Sequence, residues 1–193
     1  MENLTIRPHH VLFFDLDDTL VDTNYANFLS YQSAFLLAGQ SDFHVIYDPN
    51  IRFNRKIFQQ IFPDLEQSIF HMIIQLKEKQ FQPTNTRLNT QMADILRNYS
   101  KTHRTVLVTD CNANRAKAIL SHHKLLEHFS DLLFGRPENN AEENKFQYAI
   151  RTLNISPASI IVFENDEQNI VAAQEVGILQ IINPKKISSH EIL

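Results

Sequence analysis

The sequence predicts an α/β fold, a doubly wound parallel five-stranded sheet with an inserted helical cap, and three observations predict it. Five apolar runs of strand length occupy residues 10–15 (HVLFFD), 105–109 (TVLVT), 131–134 (DLLF), 159–163 (SIIVF) and 178–182 (ILQII). The later runs are separated by segments of helical periodicity, the alternation that right-handed crossovers between parallel strands produce. Between the first run and the second, residues 22–82 hold no buried-strand run. That stretch is roughly sixty residues long, where an ordinary connection in such folds takes about 2–6.

Taken in order, the first run is apolar on both sides of the pleat, as a strand buried between two layers requires. Helices are expected over residues 25–38, 51–62 and 64–79. The last places Leu65, Ile69, Met72, Ile73 and Leu76 at helical spacing, with Asp64 and Glu66 at its start and Lys77 and Lys79 at its end, as the helix dipole favours. The turn-forming tripeptide at residues 22–24 and the tetrapeptide Gln82-Pro83-Thr84-Asn85 bound the insert. Residues 1–21 and 83–193 then form the core domain and residues 22–82 the cap. Within the core, residues 113–128 hold one or two helices, and 142–153 place Phe146, Ala149, Ile150 and Leu153 on one face. A last helix over 166–176 closes with Gly177 as its C-terminal stop. Ligands in such sheets bind at the carboxyl ends of the strands, where the strand order reverses.

Composition narrows the chemistry. The chain has 193 residues, 43% of them hydrophobic and 21% charged, and includes 14 phenylalanines, which is the make-up of a folded protein with a sizeable core. Its three glycines, Gly39, Gly135 and Gly177, are too few and too dispersed for a glycine-rich phosphate cradle. The net charge of -4 argues against nucleic acid as a partner. The one basic cluster, Lys185-Lys186, reads as solvated. No apolar run approaches the roughly 20 residues that span a bilayer, and the polar N-terminus is unlike a signal peptide. A lone Cys111 fits a reducing cytoplasm and reads as a small buried residue, since the C-x5-R count from it ends on Lys117. His9, His10, His122, His123 and His128 lack companions at metal-ligand spacing and read as surface residues.

The first strand runs into VLFFDLDDTLVDT, which crowds Asp15, Asp17, Asp18 and Asp22 near one strand end. Like charges so close repel unless a cation or a proton relieves them. This strand followed by D-x-D-x-T-L resembles the signature of the haloacid dehalogenase-like hydrolase superfamily. The rest of that family's pattern follows in order. Thr109 ends TVLVT, Lys145 stands near the start of a helix in ENKFQYAI, and Glu164, Asn165 and Asp166 follow the strand IIVF. The helical insert after the first motif matches the subgroup with an α-helical cap, and the family's strand order would be 3-2-1-4-5.

The resemblance implies a Mg²⁺-dependent phosphatase that acts on a small phosphorylated metabolite through an aspartyl-phosphate. Asp15 would be the nucleophile and a metal ligand, and Asp17 the acid and then the base, its main-chain oxygen also facing the metal. Thr109 and Lys145 would bind the phosphoryl group, with Asn112 beside them, and Arg136 is the alternative source of Lys145's charge. Glu164, Asn165 and Asp166 would complete the Mg²⁺ site. Asn165 stands where many relatives carry Asp, and an amide removes a full negative charge from a site held by carboxylates. Low metal affinity is therefore expected. Selectivity would come from the cap, with Phe28, Tyr31 and Arg52 as candidates by location. The alternatives are a phosphomutase of the same architecture, a receiver-like signalling domain and a phospho-ligand binder without turnover.

Overall fold

In chain order the computed structural model, which describes residues 6–135 and 143–186, runs β1 (Val11–Phe14), β2 (Val21–Asp22), α1 (Asn24–Leu37), α2 (Arg55–Ile61), α3 (Gln67–Gln80), β3 (Arg87–Leu88), α4 (Thr90–Tyr99) and β4 (Arg104–Thr109). It continues with α5 (Ala113–His122), β5 (Asp131–Phe134), α6 (Lys145–Leu153), β6 (Ile160–Phe163), α7 (Glu167–Glu175) and β7 (Gln180–Ile182). The chain divides into two compact units, one of them Asp22–Arg87 and the other the flanking sequence on both sides.

The larger unit holds a five-stranded sheet in the order β5-β4-β1-β6-β7, every pair parallel. Counting only its own strands, that is the expected order 3-2-1-4-5. The chain moves outward from β1 to β5 and then returns to place β6 on the other side of β1, so the carboxyl end of β1 lies at the switch point. Alternation sorts the strand residues onto two faces. Phe13, Val106, Val108, Ile160 and Val162 pack with Phe146 and Ala149 of α6 and Ala173 of α7. The alternate residues Leu12, Phe14, Leu107, Ile161 and Phe163 are fully buried, so the second face is covered too. Phe14 stacks on Phe163 across neighbouring strands, with ring centroids 4.3 Å apart.

Helix ends follow local chemistry. Asn144 accepts hydrogen bonds from the backbone of Phe146 and Gln147, and the Gln147 side chain accepts from the Asn144 N–H, a reciprocal capping box that makes Lys145 the first residue of α6. The expected start at residue 142 therefore moves to 145. Gly177 stops α7 as expected, at φ 89°, with its own N–H bonded to the Gln174 carbonyl and the Ile178 N–H to that of Ala173. The stretch expected as one or two helices over 113–128 is α5 followed by a 3-10 turn at Leu126–His128, broken at Lys124, whose φ is 55°. Helix α4 was not anticipated. It begins at the Asn89 cap and buries Met92, Ala93 and Leu96. His10 departs from the surface reading, being 5% exposed with its Nδ1 accepting the Arg7 N–H at 3.0 Å. Burial lowers its pKa, which favours the neutral ring.

The smaller unit builds its own core from α1, α2, α3 and the loop before α2. Phe28, Tyr31, Ala34, Phe35, Phe53, Phe58 and Ile73 cluster there, and Tyr31 stacks on Phe58 at 4.9 Å. Edge-to-face and tilted contacts extend through Phe35, Phe43, Phe62 and Phe70. More than half of the chain's phenylalanines lie in this unit. Phe28 and Tyr31 are thus core residues of the helical unit, at 5% and 1% exposure, which removes both from the candidates for substrate contact.

Candidate active site at the carboxyl edge of the sheet

Register places the candidate residues together. Phe14 is level with Leu107 on β4 and with Phe163 on β6, so Asp15, Thr109 and Glu164 emerge at one edge, at the ends of three adjacent strands. The Asp15 N–H still bonds to the Phe163 carbonyl at 3.0 Å, which holds the residue in the line of the sheet. After it the chain turns sharply. Leu16 O accepts from Thr19, Leu20 and Val21, and Asp18 takes φ 61°, a conformation that a short polar side chain tolerates. This turn keeps Asp17 at the same edge.

Lys145 joins the centre. Its ammonium donates to Asp15 Oδ1 at 2.8 Å and to Glu164 Oε2 at 2.7 Å, and all three side chains are buried. Burial pushes the Asp15 carboxyl up, to about 7, against the pull of Lys145, with Glu164 and Asp17 adding to the rise. For Lys145, burial works against the charge, but the two carboxylates outweigh it and hold the ammonium well above the ordinary lysine value. Glu164 is 0% exposed, and its second oxygen, Oε1, accepts the N–H groups of Asn165 and Asp166, both at 2.9 Å. Both of its oxygens are engaged.

The other expected residues divide into two groups. Thr109, 1% exposed, accepts the Cys111 N–H at 3.1 Å and lies at the end of β4. Asn112 instead caps α5, accepting from Asn114 and Arg115, and the Asp166 side chain caps α7 through Gln168 and Asn169. Cys111 is buried, as its small size and surroundings suggested. Arg136 lies outside the described residues.

Three contributors were not read from the sequence. Arg115, in the first turn of α5, places Nη2 3.7 Å from Asp17 Oδ2 and donates from Nε to Cys111 Sγ at 3.0 Å. Thr19 is fully buried beside Asn165. Lys185, read as solvated, reaches Asn165 with its ammonium. With the Asn165 amide nitrogen toward the first-motif loop, every neighbour is satisfied. The nitrogen donates to the Asp17 main-chain oxygen at 3.2 Å and to Thr19 Oγ1 at 2.8 Å, and the oxygen accepts from Lys185 Nζ at 3.1 Å.

A divalent cation can be tested against these donors. Among the described residues no group of three or more His, Cys, Asp or Glu side chains is arranged to hold a metal. The hard oxygens at this edge are the Asp15 carboxylate, the Asp17 main-chain carbonyl and, beside that carbonyl once its amide turns over, Asn165 Oδ1. Three such donors fit Mg²⁺, with water completing the shell, at a lower negative charge than a carboxylate pair supplies.

The sequence profile of the haloacid dehalogenase-like hydrolases matches residues 12–182. A comparison with curated proteins finds no significant sequence match. Among solved structures, a haloacid dehalogenase-like family hydrolase from Streptococcus pneumoniae superposes with a TM-score of 0.70 at 18% identity, over 89% of this chain and 82% of that one. A predicted phosphoglycolate phosphatase from Haemophilus somnus gives 0.71 at 18% identity, over 93% and 86%. CbbY from Rhodobacter sphaeroides, solved with phosphate, gives 0.69 at 15% identity, over 95% and 91%.

Proposed function

The chain belongs to the haloacid dehalogenase-like hydrolase family, and from that premise we propose that it is a Mg²⁺-dependent phosphatase of small phosphorylated molecules. The observation that carries the reading is the buried Asp15–Lys145–Glu164 chain at the switch-point edge of the sheet. It holds one carboxylate beside a fixed ammonium, with Asp17 two residues on and Thr109 on the adjacent strand.

In this reading an Asp15 carboxylate oxygen attacks phosphorus, and the bond from phosphorus to the ester oxygen breaks. Asp17 delivers its proton to the departing alkoxide. Asp17, now ionised, takes a proton from water, whose oxygen attacks the phosphorus of the aspartyl-phosphate. The bond to Asp15 breaks, inorganic phosphate leaves, and both residues return to their starting state. Lys145 steadies Asp15 and balances charge on the phosphoryl oxygens, while Glu164 positions Lys145. The Thr109 hydroxyl, already accepting from Cys111, has its proton to donate to the phosphoryl group. Arg115 orients the Asp17 carboxylate. When bound, Mg²⁺ would supply positive charge to the phosphoryl group; Asp15, the Asp17 carbonyl and Asn165 would hold it, with Glu164 and Asp166 committed elsewhere. Residues 22–82 are assigned as a cap domain, on the strength of their helical content and their position after the first motif.

The test is hydrolysis of p-nitrophenyl phosphate with and without Mg²⁺, using Asp15→Asn as the control. Mg²⁺-dependent release of p-nitrophenol that Asp15→Asn lowers by about 10³-fold or more is expected, because the nucleophile itself is removed. Release that survives this substitution contradicts the mechanism. A second reading, phosphate binding without turnover, is favoured by the amide at Asn165. Phosphate binding by calorimetry together with a null hydrolysis assay would select it.

A further inference from the structure

Building on the reading of a divalent-cation site at Asp15, we propose that Lys185 is a built-in competitor of that cation. Its ammonium holds the Asn165 amide in the orientation that cannot ligate. Asn165 is 7% exposed and is contacted on several sides. Of its neighbours, the Thr19 hydroxyl does not discriminate between the two amide orientations: it accepts from the amide nitrogen in one and donates to the amide oxygen, also at 2.8 Å, in the other. The Asp17 carbonyl does discriminate, because it accepts only from nitrogen. So does Lys185, because it donates only to oxygen.

These two contacts make a switch with a defined cost. Ligation of a cation needs Asn165 Oδ1 and the Asp17 carbonyl oxygen side by side. That turn of the amide gives up the 3.2 Å bond to Asp17 and leaves the Lys185 ammonium facing an NH₂ group. A cation held by these oxygens would offset the first loss, but Lys185 would have to withdraw, since two positive charges would then share one amide. Docking of Lys185 and binding of the cation are therefore mutually exclusive.

The backbone presents Lys185 for this contact. After β7 the Asn183 side chain accepts the Lys185 N–H at 2.9 Å, and the Asn183 carbonyl accepts that of Lys186 at 3.0 Å. This turn sends the two lysines apart. Lys186 pairs with Glu167 at 2.7 Å, while Lys185 goes to Asn165. Two neighbours of equal charge thus have different addresses, and one serves as a control for the other.

The test titrates Mn²⁺ into the full-length protein, with free Mn²⁺ followed by electron paramagnetic resonance and no substrate present. Lys185→Ala is expected to tighten Mn²⁺ binding by about tenfold, the scale on which residues behind a ligand set metal affinity. Lys185→Arg, which can still donate to the amide oxygen, stays near wild type. Lys186→Ala removes the same charge from an exposed pair and shifts affinity by less than about twofold. In the Asn165→Asp background both oxygens at position 165 are equivalent and no turn is needed, so Lys185→Ala gains less than it does in the wild type. Lys185 and Lys186 are both exposed, so substitutions at these two positions leave the core intact. If Lys185→Ala leaves Mn²⁺ affinity unchanged or weaker while Asp15→Asn abolishes binding, the role of Lys185 is overturned and the cation site stands. Equal gains from Lys185→Ala and Lys186→Ala also overturn it, because net charge alone would then account for the effect. If Asp15→Asn leaves Mn²⁺ affinity intact, the site reading and this inference fall together.

Discussion

Asp15 is a buried carboxylate whose desolvation is only partly offset by one ammonium, and this has a measurable cost. Its carboxyl titrates at about 7 in the fold, above the ordinary value of 3.8. Below the ordinary value both folded and unfolded states are protonated and nothing is lost. Between the two values only the unfolded chain ionises, so this group's contribution to stability falls as pH rises, and above about 7 the loss is complete. Asp15→Asn, without divalent cations, is therefore expected to melt above wild type at pH 8, by about 2–4 °C for each kcal/mol relieved, with the gap closing as pH falls toward 4. A variant that melts below wild type at pH 8 would show instead that the bond to Lys145 outweighs desolvation. At this scale the sequence disclosed which residues meet, because Asp15, Thr109 and Lys145 occupy ordered positions at element ends. It did not disclose what each carboxylate touches. Glu164, Asn165 and Asp166 are consecutive, yet one clamps a lysine, one faces the first-motif loop and one caps a helix. That division is set by backbone direction after β6, which residue types alone do not encode.

Elements carry these residues, and caps decide where the elements begin. The capping box at Asn144 makes Lys145 the first helical residue, which aims its side chain back toward the strand ends. Asn112 does the same work for α5, beside its expected part as a substrate contact. Asn112→Ser keeps a capping oxygen and should preserve both melting temperature and KM, while Asn112→Ala costs about 1 kcal/mol of stability with KM little changed. A rise in KM for Asn112→Ser at unchanged stability would restore the substrate role. The three central strands, β1, β4 and β6, were legible because each holds an apolar run buried on both faces. Helix α4 was not, because it spans only ten residues and fully buries just Met92, Ala93 and Leu96, with Thr90, Gln91, Asp94, Arg97 and Asn98 interrupting its apolar pattern. The cap at Asn89, followed by apolar residues at 92 and 96, was the signal available.

For the molecule as a whole, poverty in glycine and abundance of phenylalanine have separate explanations. Without a glycine-rich loop, the proposed phosphate recognition falls to side chains at one sheet edge, where Lys145 meets the Asp15 carboxylate and Thr109 ends the adjacent strand. The phenylalanines give the inserted helical unit an aromatic core of its own, so about sixty residues can fold as a separate body between two strands of the sheet. Among the described residues no helix is long and apolar enough to cross a membrane. The strand order was legible only through the resemblance carried by the four motifs, since alternation alone shows that the sheet is parallel and not which strand is central. The central claim is that Asp15 carries the phosphoryl group during turnover. Acid quenching during Mg²⁺-supported hydrolysis of a generic phosphate ester, followed by peptide mapping, tests it most directly. A phosphoryl group on the peptide containing Asp15, absent from Asp15→Asn, is the predicted result. A phosphoryl group mapped to any other residue, or undiminished turnover in Asp15→Asn, would contradict the account.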